Sequence, residues 1–252
     1  MPPTTTKAER RAATRAEKAR TRKVKPLEDC HRVKSKTIEL TPKNPTQASY
    51  IDALYDEGRD ILFATGPAGT GKTYLPSLYA IREFKDGGYK RIIITRPIVP
   101  NGEDLGYLPG DIIEKMGPWV RPILDAFMEV MDKSEIESML AKGTLEIAPL
   151  AYMRGRTFKN AIIIADEMQN ATTEQMKMLL TRIGEGSRMV ITGDLEQRDR
   201  IDGACGLLDF IDRLQTAPSR LRNRFSHISF EPRDVERHPV INDVLSLYEL
   251  DE

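Results

Sequence analysis

Short runs of consecutive apolar residues alternate with longer stretches of helical periodicity along most of this chain. The runs at 61–65, 91–95, 145–148, 161–165, 188–192 and 225–230 have strand length and are rich in Ile, Val and Phe. Apolar positions spaced three and four apart predict helices over 47–56, from the glycine-rich segment to about 84, and over 119–131, 172–183, 204–214 and 235–250. In the first helix Ala48, Ile51 and Leu54 form the buried face and Thr46 is the expected cap. The pair Gly87-Gly88 breaks the chain, and residues 97–110 form a long loop rich in proline and glycine. Uninterrupted runs such as Ile162-Ile163-Ile164 imply a sheet covered on both faces. Strands alternating with helices imply a doubly wound, mostly parallel α/β sheet in one domain, with no internal repeat.

Charge changes this picture at one end. The chain of 252 residues is neutral overall, but residues 1–36 carry twelve Lys and Arg against four acids, a net +8, leaving −8 on the rest. Pro26 and the 42–45 stretch separate a basic arm, residues 1–42, from a body, residues 43–252. Such an arm either holds a polyanion such as RNA or DNA, or serves as a solubilising, disordered tail that docks on its own acidic body. Ala8 to Arg20 has the composition to become helical when bound.

Cys30 and Cys205 are too far apart to indicate a metal site, and no second pair completes Cys30-His31, so a reduced intracellular protein is expected. No run approaches the roughly 20 apolar residues that span a bilayer, and the basic start lacks the apolar stretch of a secretory signal. The expectation is a cytoplasmic protein with no membrane partner.

The chemistry begins after the first strand, at Gly66-Pro67-Ala68-Gly69-Thr70-Gly71-Lys72-Thr73. This pattern, between a strand and a helix, is a phosphate-binding loop. The glycines let backbone N–H groups face a phosphate that a Cβ would obstruct, and the helix N-terminus adds its positive end. Lys72 is placed for the β- and γ-phosphates of ATP and Thr73 for Mg²⁺. Pro76 is compatible with a first helical turn, where no donor is lost.

A second apolar strand ends in Asp166-Glu167. Asp166 suits the Mg²⁺ shell, and Glu167 suits a base that deprotonates a water against the γ-phosphate. The second acid favours hydrolysis over transfer to a small molecule. A third strand ends in Gly193-Asp194-Leu195-Glu196-Gln197. Gln197 is a candidate sensor of the γ-phosphate or its water, and Asp194 either orients that water or binds the loop. Alone this turn is a weak signal; third in this order it becomes a strong one.

Together these residues resemble the motor core of superfamily 1 helicases, and more closely the PhoH-like family of ATPases. The marks are Asn44-Pro45-Thr46-Gln47, the glycine loop, Thr95-Arg96-Pro97, residues 105–110, Arg154-Gly155-Arg156-Thr157, Asp166-Glu167-Met168-Gln169-Asn170, and Gly193-Asp194 with Gln197. The resemblance covers roughly residues 46–248. It implies a single RecA-like domain, recognition of the adenine edge by Gln47, and ATP hydrolysis linked to single-stranded RNA; it says nothing of the basic arm.

Residue chemistry leaves several of these roles open. Gln47 is otherwise a helix-surface residue. Thr95 and Arg96 suit a nucleic-acid phosphate, RNA or DNA, but Arg96 equally suits a structural ion pair. Tyr107 and Trp119 either stack on bases or pack in the core.

Hydrolysis at such a site commonly needs an arginine beyond the lysine, and this chain is too short to hold a second motor domain that supplies it. The expected source is a neighbouring copy in a closed homo-oligomeric ring, which the resemblance implies is a hexamer. Arg154 and Arg156 are the first candidates, Arg121 and Arg237 the second; each is otherwise a surface arginine. Two competing functions are an ATP-switched binding module without unwinding and a small-molecule kinase. Asp166-Glu167 and the lack of an arginine-rich lid argue against the kinase.

Overall fold

The computed structural model describes residues 38–98, 112–197, 204–236 and 240. Residues 1–37 of the basic arm, Tyr107, Arg237 and most of the helix expected at 235–250 lie outside the described residues. The body is a single α/β domain around a six-stranded, all-parallel sheet in the order β3-β2-β4-β5-β1-β6. The strands are β1 (Ile61–Thr65), β2 (Arg91–Arg96), β3 (Leu145–Pro149), β4 (Ala161–Ala165), β5 (Arg188–Gly193) and β6 (Phe225–Ser229). The helices are α1 (Pro45–Tyr55), α2 (Tyr74–Lys85), α3 (Ile112–Met128), α4 (Lys133–Ala141), α5 (Thr173–Leu180), α6 (Gly206–Thr216) and the single turn α7 (Ser219–Arg222). This is the doubly wound parallel fold that the alternation of strands and helices implies, in keeping with the RecA-like domain that the resemblance implies.

The sheet is buried on both faces, and neighbouring residues of one strand serve opposite layers. Ile162 and Ile164 of β4 pack with Leu54, Leu78, Ile81, Ile123 and Phe127 from α1, α2 and α3. Ile163 packs on the other face with Met176, Leu179 and Leu207 from α5 and α6. Fully burying each such side chain stabilises the fold by roughly 1.5–3 kcal/mol. Ile38, at the start of the described residues, is 7% exposed and joins the first layer.

The cap of α1 differs from expectation. Asn44, not Thr46, is the N-cap, and its side chain accepts from the Gln47 N–H at 2.8 Å. Pro45 takes the first helical position, where its missing N–H costs nothing. The Thr46 hydroxyl is thereby free to donate to Asp234 at 3.0 Å. α3 also starts earlier than its predicted first residue, 119, running through Gly117-Pro118.

Parallel strands all end on the same side, so β1, β2, β4 and β5 deliver their C-terminal residues to one edge of the sheet. β5 separates β1 from β4 and leaves a crevice between the glycine loop and the acids. Ligands in open α/β sheets bind in such a crevice.

Candidate functional site

The glycine loop leaves β1 at Gly66. Its φ of +130° is a conformation for glycine, and a Cβ there would sit 2.3 Å from the Phe230 carbonyl. The loop is fixed from several sides. Gly66 N–H donates to the Gly193 carbonyl at 3.2 Å, and Glu236 N–H donates to the Gly69 carbonyl at 2.9 Å. The Thr70 hydroxyl and Lys72 Nζ both donate to the Pro67 carbonyl, at 3.0 and 2.7 Å. Lys72 is 9% exposed. Pro76 is the third residue of α2, inside the first turn as expected.

Across the crevice, Thr73 Oγ1 donates to Asp166 Oδ1 at 2.8 Å, and the Thr192 hydroxyl donates to the same oxygen. Asp166 N–H is held by the Thr95 carbonyl at 2.9 Å, so β2 positions the carboxylate. Glu167 follows in the left-handed region, φ 55° and ψ 37°. That conformation costs a non-glycine residue about 1–2 kcal/mol, and it turns the chain sharply where the strand ends. A cavity of about 250 Å³ is lined by Ala68, Gly69, Gly71, Lys72 and Thr73 on one side, and by Asp166, Glu167, Gly193, Asp194 and Gln197 on the other. The sequence-predicted phosphate, magnesium and water-activating residues therefore meet in one place.

Gln169 received no role from sequence, yet it links the two acidic strand ends. Its amide Nε2 donates to Glu167 Oε2 at 2.5 Å and to the Gln197 carbonyl at 3.1 Å. Its Oε1 accepts from the Asp194 N–H at 3.0 Å. The signal that could have found it was an amide two residues past Glu167 in a polar run at a strand end. Thr192 was missed likewise. One Asp194 carboxylate oxygen and the Thr95 hydroxyl are buried without a hydrogen-bond partner among the described residues.

Gln47 is 4% exposed. Its amide donates to the Thr70 carbonyl at 3.1 Å and accepts from the Lys43 N–H at 2.8 Å, tying α1 to the loop. Each end of the amide retains one further hydrogen-bonding position. Tyr50 from the same helix donates to the Lys72 carbonyl at 2.9 Å. Burial, reinforced by the Asp166 charge, pushes its pKa up and keeps it a donor.

Thr95 is fully buried at the end of β2. Arg96 beside it lies 4.0 Å from both Asp166 Oδ2 and Glu167 Oε1 and donates to the Trp119 carbonyl at 3.0 Å. Trp119 is partly buried against the core layer beneath α3. Arg154 and Arg156 do not line the phosphate cavity. Arg156 forms a bidentate pair with Glu146 of β3 and stacks over Phe158, 4.7 Å from the ring centre. That guanidinium holds the Glu146 carboxyl below its ordinary range. Arg154 is exposed. Among the described residues, no cluster of three or more His, Cys, Asp or Glu has metal-binding geometry. No helix among them is long and apolar enough to cross a membrane.

Comparison with known proteins adds to this geometry. A family model described as PhoH-like protein matches residues 39–249. A PhoH-like protein of Bacillus subtilis (strain 168) is 44% identical over 218 residues, 86% of this chain and 65% of that protein. Protein PhoH of Escherichia coli (strain K12) is 43% identical over 182 residues, 71% of this chain and 51% of that protein. The chain thus spans less than two thirds of the length of these relatives. Among solved structures, the UvsW helicase of bacteriophage T4 aligns at a TM-score of 0.43 and 13% identity, over 77% of this chain and 61% of that one.

Proposed function

The chain belongs to the PhoH-like family of P-loop NTPases, and on that premise we propose that it binds ATP with Mg²⁺ and hydrolyses it in step with single-stranded RNA. The observation that carries the hydrolytic reading is the hydrogen bond of 2.8 Å between Thr73 and Asp166, with Lys72, Glu167 and Gln197 on the same cavity. The backbone N–H groups from Gly69 to Thr73 cradle the phosphates, and Lys72 turns from the Pro67 carbonyl to the β- and γ-oxygens.

Thr73 and Asp166 offer adjacent hard oxygen donors, a set that suits Mg²⁺ with its remaining waters. The ion, when bound, neutralises charge on the β- and γ-phosphates. Glu167 accepts a proton from water as the water oxygen bonds to the γ-phosphorus. The bond from that phosphorus to the β-bridging oxygen breaks, releasing ADP and inorganic phosphate. Gln169 holds Glu167 and, through the Gln197 carbonyl, the turn that carries the γ-phosphate sensor.

The RNA half of the reading is supported by the +8 arm over residues 1–36 and by the helicase-like motif order. Arg96 ends β2 next to the acids, where a nucleic-acid contact would be coupled to the nucleotide; Thr95, fully buried, does not reach a nucleic acid as the sequence suggested. A neighbouring copy in a homo-oligomeric ring, a hexamer on the family resemblance, supplies the arginine, from Arg154 or Arg156. The proposed location is the cytoplasm.

ATP turnover with and without single-stranded RNA and DNA tests the coupling. Stimulation by RNA is expected. Unstimulated turnover, with RNA affinity set by the bound nucleotide, would replace the motor with an ATP-switched binding module. Deleting residues 1–36 is expected to weaken RNA binding and flatten its salt dependence; unchanged binding would reduce the arm to a tail.

A further inference from the structure

The phosphate cavity adjoins a larger one of about 570 Å³, whose lining includes Gln47, Leu75, Leu78 and Glu129. The two share Gly69, Gly71 and Tyr74. Three carboxylates, Glu39, Glu129 and Glu236, and a single cation, Lys43, line the larger cavity. That balance repels phosphate and suits an uncharged group rich in donors. A nucleoside triphosphate is laid out in order: phosphates, ribose, base. With the phosphates at Lys72 and Thr73, the base extends into the larger cavity and the ribose crosses the boundary at Tyr74.

Tyr74 is the first residue of α2, directly after Thr73, and 41% exposed. Its hydroxyl donates to Glu129 Oε2 at 2.7 Å, just past the end of α3. Burial, then this bond to Glu129, pushes the phenol pKa up to about 12, so it stays a donor at neutral pH. Glu129 is exposed, and a carboxylate that has accepted one hydrogen bond retains acceptor capacity on both oxygens.

We propose that Tyr74 and Glu129 form the ribose station of the nucleotide site, with Glu129 accepting the 2′- and 3′-hydroxyls and Tyr74 holding the carboxylate against the sugar. The inference rests on the ATP reading of the same cavity and adds a preference for ribose over deoxyribose. A vicinal diol presents two donors to one acceptor-only group, a match that neither deoxy sugar offers in full.

The test is calorimetric titration of the full chain with Mg-ATP, 2′-deoxy-ATP and 3′-deoxy-ATP, using wild type, Glu129→Ala and Tyr74→Phe. Wild type is expected to bind ATP about five-fold tighter than either deoxynucleotide. Glu129→Ala should abolish the preference, weakening ATP by about 25-fold and each deoxynucleotide by about five-fold, and Tyr74→Phe should narrow the gap. Equal binding of all three by wild type overturns the proposal. So does a preference that survives Glu129→Ala, or a uniform loss of all three ligands in that variant. A wild type that binds none of them brings down the nucleotide reading first, and the ribose station with it.

Discussion

Gln169 joins the end of β4 to the end of β5 through one amide: Glu167 and the Gln197 carbonyl on its nitrogen, the Asp194 N–H on its oxygen. Replacing Gln169 with Ala removes the bond that fixes Glu167 without touching the phosphate loop. Turnover is expected to fall about 10- to 100-fold, because a misplaced base loses near-attack geometry. ATP affinity should hold, so kcat drops while KM does not; a matching loss of affinity would make Gln169 merely structural. The sequence exposes Lys72, Thr73, Asp166 and Glu167 because strand, turn and helix place them by local rules. It hides Gln169 and Thr192 because partners of each lie past the end of another strand, Asp194 and Gln197 at 25 and 28 residues from Gln169 and Asp166 at 26 from Thr192. Arg96 illustrates the same limit. Its residue type suits a phosphate or an ion pair equally, and its contacts with Asp166, Glu167 and Trp119 come from the fold.

At the scale of elements, β1 to β5 are legible because each is a largely buried, mostly apolar run, whereas the edge strand β6 is half-buried and carries Ser226, His227 and Ser229 between its apolar residues. The helices α4 and α7 were not read from the sequence, since both are short and largely exposed, with a weak apolar stripe. Gly117-Pro118 looks like a break, yet α3 continues through it because Val120, Ile123 and Phe127 anchor the helix in the core. At the opposite end of the sheet from the crevice, Arg188 starts β5 at 5% exposure. It donates to the carbonyls of Leu54, Asp56 and Arg59, closing the C-terminal end of α1, and to Tyr79 Oη at 3.1 Å. Among the described residues no carboxylate lies within 4.0 Å of it. A cation at a helix C-terminus complements the dipole. Arg188→Met leaves those carbonyls without donors and is expected to cost about 3 kcal/mol, read as a lower urea midpoint at unchanged slope. An unshifted midpoint would mean that water replaces the guanidinium at no cost.

At the scale of the whole molecule, the proposal is a hydrolytic site that takes its arginine from a neighbouring copy. Arg156 is committed to Glu146 and Phe158 within its own chain, whereas Arg154 is exposed. If a neighbour's arginine completes the site, copies carrying Glu167→Gln and copies carrying Arg154→Ala should regain activity when mixed. Each then contributes the group that the other lacks, and a mixture no more active than its parts would place the arginine elsewhere. The proposed hydrolysis depends most directly on Glu167. Steady-state ATP turnover of Glu167→Gln, measured beside its ATP affinity, is expected to fall at least about 100-fold, with affinity changed no more than a few-fold. Turnover at the wild-type rate would contradict the hydrolytic site itself.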